Sequence, residues 1–170
     1  HRDVADGVAA IRDAGFAVTG TLPGGVTLSG DWPDVWRANI ALRGATRVLA
    51  RFAEFRAFHL AQLDKRARKL DWGEVLRADV PVRVEATCRK SKIYHHKAAT
   101  QRIAGAITAA GAPVASEAEV VVKVRIEDDL CTISLDTSGE PLHRRGFKQY
   151  VGKAPMRETH AALFLRQCGY

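Results

Sequence analysis

Cysteine is scarce in this 170-residue chain, which holds only Cys88, Cys131 and Cys168. The three are widely spaced and odd in number, and no C-x-x-C pair occurs, so neither a disulfide framework nor a zinc ribbon is indicated. That usage fits a reducing cytoplasm. A membrane-spanning run is missing as well. Residues 103–116 carry no charge, but Gly and Pro interrupt them, and the run falls short of the roughly 20 residues that a bilayer needs. The reading is therefore of a protein with no membrane partner. The start shows no charged-then-apolar leader pattern. It begins with His1 rather than Met, and a trimmed start or a tag remnant is expected. Internal repeats and low-complexity stretches do not occur. No strand pattern is followed by a Gly-rich turn of the dinucleotide type. Gly24-Gly25 and Gly105…Gly111 lack that context.

What is present is an ordinary globular composition with a basic bias. Hydrophobic residues make up 46%, and a chain of this length buries roughly 70% of its unfolded surface, enough to fold without staples. The net charge of +7 is uneven: residues 1–70 hold eleven basic and seven acidic side chains, 71–140 nine and eleven, 141–170 six and one. Such a balance favours a polyanionic partner, although a high isoelectric point alone also keeps a protein soluble.

Periodicity gives the elements. Residues 2–14 read as a helix with Val4, Val8 and Ile11 on one stripe, ended by Gly15. Residues 16–21 and 25–29 read as strands around a Pro23-Gly24 turn. Asp31 and Pro33 open a second helix to about Leu42, with Val35, Trp36 and Ile40 expected inward. Residues 47–56 alternate as a strand, with a helix as the other possibility. Helix, strand, strand, helix, strand is a ferredoxin-like unit without its first strand. Within it, Arg43 and Arg47 read either as RNA contacts or as buttresses; the buttress is preferred, because an Arg beside an apolar helix face packs its stem. A helix over 60–70 with a basic end and a short turn over 71–76 lead to a boundary at 72/73.

The second half reads as strand 80–87, basic loop 88–97, helix to about Ala110, strand 119–126, a turn at Glu127-Asp128-Asp129 and strand 130–135. On its helix, Ala99, Ile103, Ala106, Ile107 and Ala110 share one face. After it, residues 138–141 punctuate a turn, residues 142–148 read as a returning strand, and Ala154-Pro155 opens a final helix. The fold class is α/β (α+β).

The basic loop is the richest chemistry. A helix N-terminus offers unpaired N–H groups and partial positive charge. Lys97 there disfavours the helix by roughly 0.3–1 kcal/mol, and Arg89, Lys90 and Lys92 add self-repulsion unless an anion is bound. Tyr94, His95 and His96 bring rings that stack on unpaired bases, worth about 1–3 kcal/mol each. Ser91 is a donor for a phosphate oxygen, and Ile93 is expected in the core. The alternative is a solvated lysine-rich turn. His95-His96 lacks a third ligand at metal spacing, and a Cys88–His95 pair lacks an orienting third group. Neither a catalytic nor a metal site is assigned.

Ser138-Gly139-Glu140-Pro141-Leu142-His143-Arg144-Arg145-Gly146, with Lys153-Ala154-Pro155-Met156-Arg157-Glu158-Thr159, resembles a known linker. It is the segment joining THUMP and catalytic domains in S-adenosylmethionine-dependent RNA methyltransferases that methylate guanine N2 in 23S ribosomal RNA or tRNA. Such proteins are often labelled adenine-specific DNA methylases. The run 36–49 resembles the same family's N-terminal subdomain, and Ser91 followed by His95 ahead of a helix resembles its THUMP segment. The resemblance implies an incomplete ferredoxin-like subdomain (1–72), a THUMP domain (73–150) and a linker or first helix (151–170) towards a Rossmann-like methyltransferase domain in cis. It implies an RNA-recognition surface at the loop, where RNA contact is read for Arg89, Lys90, Ser91, Lys92, Tyr94, His95, His96, Lys97 and Arg102, while Arg144, Arg145 and Lys148 either extend that phosphate track or pack against the further domain. The family's Asn-Pro-Pro-aromatic motif is absent, so S-adenosylmethionine is expected to serve the full-length enzyme and not to bind this chain. Two other readings stand beside this one: a module that docks a separate catalytic protein, and a small enzyme of unrecognised type. Steep salt dependence marks phosphate binding and separates it from apolar docking.

Overall fold

Gly15 and Gly24 set the first turns of the chain, with φ of +78° and +77° that a side chain would strain. The computed structural model describes residues 2–144, 150 and 152–170, and for residues 2–6 the backbone only. Two compact units emerge, residues 1–48 with 140–170, and residues 49–139.

In the first unit, helix α1 (Arg2–Asp13) ends where the Gly15 amide donates to Arg12 O at 2.9 Å. Strands β1 (Ala17–Leu22) and β2 (Gly25–Ser29) pair antiparallel across Pro23-Gly24, with Leu22 opposite Gly25. Pro followed by a positive-φ Gly is the preference of a type II turn. Helix α2 (Trp32–Ala41) opens on a reciprocal capping box between Asp31 and Asp34, with Pro in its first turn. Phe16, Ala38 and Leu42 form the small core, flanked by Ile11, Leu28 and Val48. Trp36 and Ile40 do not point inward as expected: they are 62% and 76% exposed. Ala38 and Leu42 occupy the inward stripe four residues apart, and a face two residues away on a helix points elsewhere. Arg37 packs within this unit. Its guanidinium lies 4.3 Å over the Phe16 ring and bonds Gly15 O and Asp34 Oδ1.

Residues 142–148 were expected as a strand, but Leu142–Arg144 form a 3-10 turn whose first amide donates to Thr46 O at 2.9 Å. Residues 145–149 lie outside the described residues. The last helix begins at Glu158 with Arg157 as N-cap, so Pro155 precedes it rather than starting it.

The second unit contains β3 (Leu49–Arg56), α3 (Leu60–Ala67), a 3-10 turn (Trp72–Glu74), β4 (Val82–Arg89), α4 (His96–Ala109), β5 (Val120–Glu127) and β6 (Leu130–Asp136). The final helix of the first unit is α5 (Glu158–Gln167). One sheet forms in the order β3-β6-β5-β4, with β4 and β5 parallel and the other pairs antiparallel. Parallel pairing needs a crossover, and α4 supplies it. Val82, Val84, Val122, Val124, Ile126, Cys131 and Ile133 line the inner face. Leu63, Ala67, Ile103, Ala106 and Ile107 of α3 and α4 complete that core. Each large side chain buried there stabilises by about 1.5–3 kcal/mol. Trp72 closes it, donating Nε1–H to Ala67 O at 2.9 Å against the Phe52 ring. Ala110 is exposed, because it caps α4 one turn past the last inward contact.

Residue β3 pairing differs from expectation. The strand was assigned to the ferredoxin-like unit, yet Ala53 faces Ile133 and Phe55 faces Cys131 in the second sheet. The compact units therefore divide at 48/49 and 139/140, whereas the sequence placed boundaries at 72/73 and 150. Alternation identifies a strand without saying which sheet it joins.

Candidate nucleic-acid interface

The topology makes β3, β4 and β5 run the same way. Arg56, Leu130, Glu127 and Arg89 form one row across the sheet. The β5–β6 turn at that rim is thus flanked by the β3–α3 connection on one side and the β4–α4 loop on the other. In open α/β sheets ligands bind beyond the carboxyl ends of such strands.

The turn organises its neighbours. Asp128 and Asp129 have φ of +50° and +63°, the left-handed pair of a two-residue hairpin turn, which short polar residues tolerate. Asp129 Oδ1 accepts from Ser91 Oγ at 2.9 Å and from the Lys92 amide at 2.8 Å. Ser91 Oγ accepts the Ile93 amide at 3.2 Å, and Ile93 is buried as expected. On the other side the Ala57 amide donates to Asp129 O at 2.9 Å, and Arg56 Nη1 to Asp128 O at 3.3 Å. The Lys92 amide holds the Asp129 carboxyl below its ordinary range, and Ser91 and the charges of Lys92 and Arg56 act the same way.

Above this base, α4 starts bare. His95 is its N-cap and makes no side-chain capping bond, so the first-turn amides remain available to an anion. Lys90, Lys97 and Arg102 are exposed, and among the described residues none has a carboxylate partner. Arg89 is partly neutralised: its Nε lies 4.0 Å from Glu127, which Arg125 also holds. The Lys92 ammonium sits 5.1 Å from the Phe58 ring centroid. Tyr94 is 71% exposed, and its ring lies 4.1 Å from that of His95. His96 is exposed beside them.

The loop residues named from the sequence thus share one rim, with one correction. Ser91 is expected to donate to phosphate, but here its single proton goes to Asp129, because an ionised carboxylate can only accept and the hydroxyl facing it must donate. Arg144 belongs to the first unit, where it pairs with Glu140 at 3.3 Å. Arg145 and Lys148 lie outside the described residues. Asp129, Arg56 and Phe58 were not foreseen. Two consecutive acids between alternating strands signal only a turn, and no local pattern connects residue 58 with residue 92.

A cavity of about 300 Å³ opens at the β4 edge, lined by Arg83, Val84, Thr100, Ala104, Val114, Ala115 and Ser116. Its hydroxyls have no imidazole or carboxylate among the lining residues, so it lacks the parts of a nucleophilic site. Among the described residues no helix is long and apolar enough to cross a membrane.

Residues 9–49 match the model of the RlmL ferredoxin-like domain, and residues 58–136 that of the THUMP domain. A ribosomal RNA large subunit methyltransferase K/L of Syntrophotalea carbinolica is 30% identical over 86% of the chain and 22% of its own length. Among solved structures, a possible methylase from Clostridium difficile 630 has a TM-score of 0.85 at 27% identity, over 96% of this chain and 45% of that one. A Listeria monocytogenes protein described as an N6-adenine-specific DNA methylase has a TM-score of 0.83 at 26% identity, again over 96% and 45%. The chain spans less than half the length of these proteins.

Proposed function

From a chain that carries an RlmL-type ferredoxin-like domain followed by a THUMP domain, we propose the RNA-capturing part of an RNA methyltransferase. It holds 23S ribosomal RNA or tRNA and presents a guanine for N2-methylation by a catalytic domain in cis. The observation that carries this reading is the convergence of an uncapped helix N-terminus, the unpaired Lys90 and Lys97, and the exposed rings of Tyr94, His95 and His96 on one rim. The cations and amides take phosphates, and the rings take bases. Methyl transfer by such an enzyme draws on S-adenosylmethionine. The described residues do not fit that cofactor: Gly24 lies in a β-hairpin, Gly105 inside α4 and Gly111 just after it, and Gly30 stands alone between β2 and α2, so among the described residues no Gly-rich G-x-G turn joins a strand to a helix. The cofactor belongs to the rest of the protein.

Fluorescence anisotropy with labelled RNA across a salt series tests the reading. Each phosphate contact contributes about 0.7–0.9 to the slope of log affinity against log salt. Replacing Lys90 and Lys97 with Ala lowers affinity and flattens that slope, with the melting temperature unchanged. An unaltered slope removes the loop from the interface. Binding of a methyltransferase domain without salt dependence, and no RNA binding, supports the docking module instead.

A further inference from the structure

The β3–α3 connection shares the rim with the basic loop, yet the RNA reading above uses none of it. Phe58 lies in that connection, 42% exposed and outside the core that takes its neighbour Ala57. An exposed apolar side chain alone needs no explanation. Three further observations give this one a role. Its backbone is fixed on both sides, by the Phe58 amide donating to Gln62 Oε1 at 2.8 Å and the Ala57 amide donating to Asp129 O at 2.9 Å. Asp129 is the same residue that anchors Ser91 and Lys92, so the ring and the basic loop are held by one turn. The Lys92 ammonium stands 5.1 Å from the ring centroid, so an aromatic face and a cation lie side by side, the pair that suits a base and its adjacent phosphate.

We propose that Phe58 is a base-stacking platform forming the second wall of the RNA site, and that the segment bound there is unpaired. This rests on the RNA reading above. In the free protein Lys92 covers the ring. An exposed contact of this kind is weak, whereas base–aromatic stacking is stronger and frees the ammonium for the adjacent phosphate. RNA therefore displaces Lys92 from the ring and recruits it. A duplex cannot use the platform, because its bases are already stacked on each other.

The test compares an unstructured RNA 12-mer with a duplex of the same sequence, using the whole chain, with circular dichroism to confirm folding. Phe58→Leu weakens single-strand binding about tenfold and leaves duplex binding within twofold. Phe58→Trp retains single-strand affinity, and its indole emission is quenched on binding. Equal losses on both RNAs, or no single-strand loss while the unaltered chain binds, overturn the platform and leave the RNA reading standing. Failure of the unaltered chain to bind any RNA overturns both.

Discussion

Asp129 and Ser91, 38 positions apart in sequence, are joined by a 2.9 Å hydrogen bond from the serine hydroxyl to the carboxylate. The same oxygen takes the Lys92 amide at 2.8 Å. The basic loop is therefore held from beneath by an acid. The acid that lowers the positive charge of the rim is what fixes the backbone from which its cations project.

Removing that acid should weaken RNA binding despite making the rim more positive. Asp129→Ala leaves the Lys92 amide and the Ser91 hydroxyl without their acceptor. The expected result is a several-fold loss of RNA affinity, with the Lys92 and Ile93 amides losing protection in hydrogen exchange. A gain in affinity means that simple charge, not loop geometry, sets binding.

The anchor is also pH-dependent, with a definite sign. The folded Asp129 carboxyl titrates below its unfolded value, which is about 3.9. Its contribution is fully present above that unfolded value and is lost as pH falls through the lower folded one, because the unfolded chain binds the proton first. An NMR titration of the Asp129 carboxyl should give a midpoint below the ordinary carboxylate value, and amide protection at Lys92 should survive until that midpoint is reached.

Lys90 and Arg89 should differ although they are neighbours. Arg89 shares Glu127 with Arg125, and Lys90 has no carboxylate partner among the described residues. Lys90→Ala is expected to reduce the salt slope by about 0.7–0.9, and Arg89→Ala by distinctly less. Anisotropy over a salt series reads both.

Tryptophans separate core from surface. Trp72 is 2% exposed and bonded to Ala67 O, so Trp72→Ala should cost about 3–5 kcal/mol in chemical denaturation. Trp36 is 62% exposed, and Trp36→Ser should stay within about 0.5 kcal/mol.

Thiol reactivity should follow burial. Burial pushes the Cys131 thiol up to about 12, with the neighbouring Cys88 adding to the rise, while Cys168 is exposed. At pH 8 a disulfide reagent should label Cys168 first, Cys88 slowly and Cys131 only on unfolding.

Local chemistry was legible where a few adjacent residues decide the outcome. Asp31 and Pro33 announce α2, Pro23-Gly24 announces the β1–β2 turn, and Ile93 separates itself from the charged residues around it as a core anchor. Trp36 and Ile40 misled because hydrophobicity marks a face without saying whether anything covers it. The strand over residues 142–148 was expected from composition, but the amide of Leu142 found Thr46 O rather than a ladder partner.

The sequence by itself determined most elements up to residue 136, the basic loop and its position at a strand-to-helix junction, since periodicity and turn chemistry act over a few residues. Only tertiary structure decided that β3 pairs with β6, that Asp129 grips Ser91, and that Phe58 lies under Lys92. Those contacts join positions tens of residues apart, and their formation depends on which strand edges and faces remain to be satisfied once the core has closed.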